Sequence, residues 1–182
     1  TPGSDELGDV IAVEFEKGFN AIIMENHGTV VAGTSMADAY ARMETLEFCA
    51  RSIIYGSRIG EPNYLTDEQL DAFDKQVQEP LPEMEKVEYS SEKLDKRHEI
   101  CNIVRRACNQ WLMISSYGTA TVRWKNDDFI ITPTGANRWD LNPEDLVQVK
   151  EGKREPGKLP SRATWIHQEI YKRFPKVNSI IM

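Results

Sequence analysis

Residues 58–92 interrupt the hydrophobic patterning of this chain, so any core has to be assembled on either side of them. Pro62, Pro80 and Pro82 punctuate the stretch, and acidic residues dominate it. Proline fixes φ and removes a backbone donor, which excludes a long helix or a central strand there. Leu65, Leu70, Phe73 and Val77 are spaced for one short helix. The stretch reads as an acidic, Pro-containing linker between a segment 1–57 and a segment 93–182.

The first segment opens with Leu7, Val10, Ile11 and Phe15 at helical spacing, stopped by Lys17-Gly18. Ala21-Ile-Ile-Met24 and Thr29-Val-Val-Ala32 are short apolar runs, predicted as a hairpin or as adjacent strands, with His27 and Gly28 at the connection. Ser35, three residues before Asp38, offers an Asp version of the capping box. Behind it Met36, Ala39, Tyr40, Met43, Leu46, Cys49, Ala50 and Ile53 mark one face of a helix ending at Gly56, read as core packing.

The second segment begins with another stripe, Leu94, His98, Cys101, Val104, Cys108, Trp111 and Leu112. Alternation then replaces it. Thr119, Thr121 and Arg123 point one way, and Ala120, Val122 and Trp124 the other. Lys125-Asn-Asp-Asp128 turns the chain, Phe129-Ile-Ile131 returns, and Leu146-Val-Gln-Val149 is a third strand. Pro160-Ser161 opens a helix with Trp165, Ile166, Ile170 and Phe174 as its buried side, and Val177–Met182 is a terminal strand. Strands flanked by helices give either an α+β domain or an α/β domain of three layers.

The bulk numbers narrow the class. Net charge is -7, with 22 Lys+Arg against 29 Asp+Glu, which argues against nucleic acid as a partner. No apolar run reaches the ~18–20 residues that span a bilayer, so no membrane partner is expected. Cys49, Cys101 and Cys108 lack C-x-x-C spacing, which fits buried thiols in a reducing cytoplasm better than disulfides or a zinc knuckle. The chain has no initiator Met, begins in Thr1-Pro2-Gly3 and stops inside an apolar stretch, so it reads as a piece of a longer protein.

Two groups carry candidate chemistry. His27, at a strand end before Gly28, is either a metal ligand or a hydrogen-bonded turn residue. With His98 and His167 as the only other histidines, no H-x-H or H-x-x-x-H pair is present. The second group is Gly118, Thr119, Thr132, Thr134, Gly135 and Ser161, whose hydroxyls and N–H groups suit either a phosphate cradle or ordinary turns and caps. No P-loop or G-x-G-x-x-G occurs.

Motifs in both segments resemble the class II aldolase/adducin family. Asn20–Gly33, with the following helix bearing Glu44 and Glu47, is similar to its C-terminal half. Gly118–Arg123, Ile130–Gly135, Leu141–Leu146 and Pro160-Ser161 with His167 and Tyr171 resemble its N-terminal half. The halves come in reversed order, read as a slice across a tandem pair of domains or a permutation.

The resemblance implies a three-layer α/β/α fold with a mostly antiparallel sheet, and a metal-dependent sugar-phosphate aldolase as parent. Such an enzyme cleaves through a zinc-stabilised enediolate. It further implies that His27 is one of three histidines on the metal, the other two falling at Met182 and beyond it. The family's acidic residue after Pro-Ser is replaced by Ala163, which cannot exchange a proton. Gly118-Thr119 stands where the family has its Gly-Asn phosphate pair. The expectation is therefore no catalytic residue and no aldol cleavage in this chain alone, with zinc by resemblance or none bound. The alternatives are a non-catalytic, adducin-like assembly module or a sugar-phosphate-binding domain. The expected partners are a sugar phosphate, and the missing half-domains or a second copy in a homo-oligomer.

Overall fold

A computed structural model describes residues 3–75 and 79–182, in two compact units divided between Pro62 and Asn63. In the first, α1 (Asp5–Glu16) is capped by Ser4, whose Oγ accepts from Leu7 N, and Asp5 and Glu6 face the positive helix end. β1 (Ala21–Met24) and β2 (Gly28–Val31) form an antiparallel hairpin in the register Ala21 to Val31. Its loop turns through Asn26 at φ 55°, a left-handed conformation that asparagine tolerates.

Ser35 caps α2 (Met36–Gly56) by accepting from Asp38 N at 3.1 Å. The reciprocal half of the expected box is displaced. Asp38 accepts from Thr34 N at 2.8 Å rather than from Ser35, and Arg42 grips both carboxylate oxygens at 3.0 Å. Gly33 permits this tight entry, since a Cβ there would collide with the Ala39 backbone.

None of the described residues of 3–62 is buried. The α2 stripe read as core is half-buried at best, Met36 and Tyr40 are exposed, and so is Cys49, contrary to the expectation of a buried thiol. Two short strands and α1 are too few elements to cover a 21-residue helix.

The second unit has a core. Its sheet is fully antiparallel in the order β6-β5-β4-β3-β7: β3 (Ala120–Lys125), β4 (Asp128–Ile131), β5 (Val147–Lys150), β6 (Lys153–Arg154) and β7 (Ser179–Ile181). α4 (Ser91–Asn109) covers one face, packing Ile100, Cys101, Val104 and Cys108 on Ala120, Val122, Ile130 and Leu146. α5 (Thr164–Arg173) covers the other, where Tyr171 meets Phe129, Ile131, Val147 and Val149. Helix, antiparallel sheet and helix thus form the expected layers, and strand alternation supplies both cores.

In α4 only the middle of the expected stripe, Cys101, Val104 and Cys108, turns inward, and α5 buries a different face from the one its apolar spacing indicates. In α4, Leu94 and His98 are exposed, as are Trp111 and Leu112 beyond its end, while Lys93 and Arg97 are buried. Arg97 meets Glu155 at 2.6 Å, and Lys93 donates to Glu88 O at 2.7 Å and lies 3.9 Å above the Trp124 ring. In α5, Trp165, Ile166 and Phe174 are exposed while Thr164, His167 and Tyr171 are buried. Polar groups with fixed partners take the inward positions, which period counting assigns to apolar residues.

The stretch 58–92 is also more structured than a tether. Thr66 and Gln69 close a capping box on α3 (Asp67–Asp74). Leu81 and Met84 are buried, Leu81 in the α5-side core, and Arg154 N donates to Pro82 O at 2.9 Å along the β6 edge. Val77 of the expected short helix lies outside the described residues.

Candidate functional site

A cleft of about 670 Å³ opens where β3 begins and α5 starts. Gly118, Thr119, Thr134, Gly135 and Ser161 line it together with Ser116, Tyr117, Arg138, Arg162, Ala163 and Phe73. Each is placed by backbone chemistry. Gly118 adopts φ 96°, and a Cβ there would lie 2.6 Å from Met113 Cγ, so the turn into β3 requires glycine. Thr119 then pairs with Met182 through N···O contacts of 2.7 and 2.8 Å. Across the cleft, Ser161 N donates to Thr132 O at 3.0 Å, which anchors the start of α5 on β4.

The side chains of Thr119 and Ser161 meet at 2.7 Å, and Ser161 Oγ also accepts from Ala163 N. Thr134 is held by N–H donation to Leu159 O, and Gly135 turns at φ 72°. Thr132 is the exception among the sequence candidates. It is fully buried, its Oγ1 accepts from Ala120 N, and it braces the strand pair instead of lining the cleft.

Two cations that sequence reasoning did not single out share this wall. Arg138 is 2% exposed, yet among the described residues its side chain donates only to backbone carbonyls, those of Gly118, Ala136 and Pro133. Burial pulls its pKa below the ordinary guanidinium value. Arg162 is exposed and stacks on the Phe73 ring with its carbon 5.3 Å from the centroid. Among the described residues lining the cleft there is no carboxylate. The α5 N-terminus adds its partial positive charge, since no side chain caps it. No local pattern in the sequence marks Arg138, because its partners are carbonyls in separate loops.

Each histidine has a different local setting. His27 is exposed in the β1–β2 turn, its N–H donating to Met24 O at 3.1 Å. It borders an apolar groove of about 540 Å³ between α1 and β1, with Glu25 beside it. His98 is exposed on α4, and His167 is buried under β3 with Nδ1 2.9 Å from Thr121 Oγ1. Among the described residues no three His, Cys, Asp or Glu side chains group as a metal site. The zinc implied by resemblance therefore does not fit this donor set, and no chemical step is assigned to it. Among the described residues, too, no helix is long and apolar enough to cross a membrane.

Residues 1–54 and 98–181 match the family described as Class II Aldolase and Adducin N-terminal domain. The chain is 31% identical over 72 residues to methylthioribulose-1-phosphate dehydratase of Methylococcus capsulatus, covering 39% of this chain and 35% of that protein. Among solved structures it is similar to YgbL from Escherichia coli, at 23% identity and TM-score 0.47 over 50% of this chain and 44% of that one. It is also similar to L-fuculose 1-phosphate aldolase from Glaciozyma antarctica, at 21% identity and TM-score 0.44 over 53% and 44%. The chain thus spans about a third of the curated relative and less than half of each solved chain.

Proposed function

We propose that this chain, which belongs to the class II aldolase and adducin family, holds the phosphoryl group of a sugar phosphate in the cleft of its second unit, as the binding part of a sugar-phosphate lyase-type protein. One observation carries the reading. Gly118, Thr119, Thr134, Gly135 and Ser161, drawn from separate stretches, line one cleft with two arginines and, among its described residues, no carboxylate. Hydroxyls, backbone N–H groups, a helix N-terminus and cations are what a phosphoryl group recruits. The curated relative, whose name carries a phosphorylated sugar, supports the same class of ligand.

On binding, Thr119 and Ser161 exchange their mutual 2.7 Å hydrogen bond for bonds to phosphoryl oxygens, and α5 directs its N-terminus at the charge. Ala163, buried at the cleft wall, offers no group to move a proton. That favours binding without turnover in this chain alone. Catalytic groups would come from complementary half-domains or a second copy, a requirement supported by the uncovered apolar residues of 3–62.

Thermal unfolding with glycerol phosphate checks the reading. Millimolar glycerol phosphate should raise the melting temperature, glycerol should not, and a chelator should leave the shift intact. Thr119→Val and Ser161→Ala should each weaken binding about tenfold, the worth of one charge-assisted hydrogen bond. No shift at millimolar concentration, or one abolished by the chelator, contradicts the reading.

A further inference from the structure

The environment of Arg138 goes beyond a generic anion cradle. Its guanidinium donates from Nε to Gly118 O at 2.8 Å and from its two terminal nitrogens to Ala136 O at 2.7 Å and Pro133 O at 3.1 Å. Its backbone N–H donates to Ser115 O at 2.7 Å. These four bonds tie the 115–118 loop, which carries Gly118, to the 133–136 loop, which carries Thr134 and Gly135. A guanidinium has five N–H donors, so two remain after the three carbonyls are served.

Among the described residues the charge itself has no counter-ion. No carboxylate pairs with Arg138 among the described residues: Tyr117 and Arg162 share the cleft wall with it, Cys108 on α4 acts on it electrostatically, and Glu144 and Asp145 line a neighbouring hollow with Pro133, Thr134 and Ala136 without bonding to the guanidinium. A buried arginine is normally paired, because stripping it of water is costly. Carbonyl dipoles solvate this cation without cancelling it, and a ligand anion in the adjoining cleft completes the pairing.

We infer that Arg138 makes the cleft selective for a doubly charged phosphoryl group over singly charged anions, while bracing the two loops that receive it. The inference rests on the phosphoryl reading above and adds which residue sets the charge preference. A dianion gains twice the attraction of a monoanion from one fixed cation, and low local dielectric enlarges the difference. Arg162 adds a second positive charge at the rim, but its exposure screens it.

Calorimetric titration of the full chain tests this with glycerol phosphate, which takes its second charge near pH ~6, and methyl sulfate, a monoanion throughout. No carboxylate or histidine is among the described residues lining the cleft, so the charge that changes over this range sits on the ligand. Wild-type affinity for glycerol phosphate should climb about tenfold as the dianion forms and should exceed that for methyl sulfate at high pH. Arg138→Lys should bind more weakly but keep the climb, and Arg138→Gln should lose both the climb and the preference.

An Arg138→Gln protein that retains the wild-type profile overturns the inference and leaves the phosphoryl reading standing. A wild type that binds no glycerol phosphate overturns both. Should Arg138→Gln fail to fold, the wild type decides alone: equal affinity for the two anions at high pH overturns the inference.

Discussion

His167 lies at 0% exposure beneath β3, where Thr121 Oγ1 is 2.9 Å from its Nδ1 and 2.8 Å from Tyr171 Oη. One hydroxyl has one proton. If Tyr171 donates to Thr121 and Thr121 donates to Nδ1, the imidazole carries its proton on Nε2, an atom without a partner among the described residues. Burial lowers the His167 pKa, so the ring folds neutral. An unfolded histidine takes up a proton near pH ~6.5, while the folded one resists until a lower pH. The sign follows: this contribution to stability is complete above pH ~6.5 and is lost as pH falls toward the folded value. Denaturant unfolding between pH ~5 and ~8 should show that decline in the wild type and a smaller one in His167→Gln. An identical slope in both proteins would assign the acid sensitivity elsewhere.

Among the elements, α4 is fastened to the sheet edge through buried charge. Arg97 and Glu155, each 3% exposed by side chain, meet at 2.6 Å, and Arg97 also donates to Pro143 O and Leu146 O. Burial alone would raise the Glu155 pKa, but hydrogen bonds from Lys158 and Arg97 outweigh it and hold the carboxyl below its usual value. Removing one partner leaves the other buried and underpaired, so Arg97→Met should cost about 3 kcal/mol. Breaking the part-exposed Arg42–Asp38 pair on α2 should cost far less. Comparable losses for the two variants, measured by urea unfolding, would contradict this.

The same elements explain what was legible. β3 was readable because Thr119, Thr121 and Arg123 alternate with Ala120, Val122 and Trp124, β4 and β5 because Phe129–Ile131 and Leu146–Val149 are short, mostly apolar runs, and α2 announced its start through Ser35. α4 and α5 were readable as helices, but the inward face was legible only at Cys101, Val104 and Cys108 of α4, because Lys93, Arg97, Thr164 and His167 also turn inward through partners distant in sequence. β6 escaped notice at two residues, and its pairing with the Pro82 region turned part of an apparent linker into core. At the cleft, Gly118, Thr119, Thr134, Gly135 and Ser161 were legible as turn chemistry, whereas Arg138 emerges only once the loops are folded around it.

At the scale of the whole molecule the two units differ in kind. Residues 63–182 enclose two apolar cores on either side of one sheet, whereas 3–62 leave Val10, Ile23, Met36 and Ile59 exposed. Binding chemistry belongs with the rigid unit, where the sheet and α5 hold the cleft residues in place. The direct test is amide NMR of the full chain titrated with glycerol phosphate. The account predicts shifts concentrated at Gly118, Thr119, Thr134, Gly135, Arg138 and the first turn of α5, with His27 and its hairpin unmoved. Saturable shifts centred on His27, or none in the cleft at millimolar ligand, would contradict it.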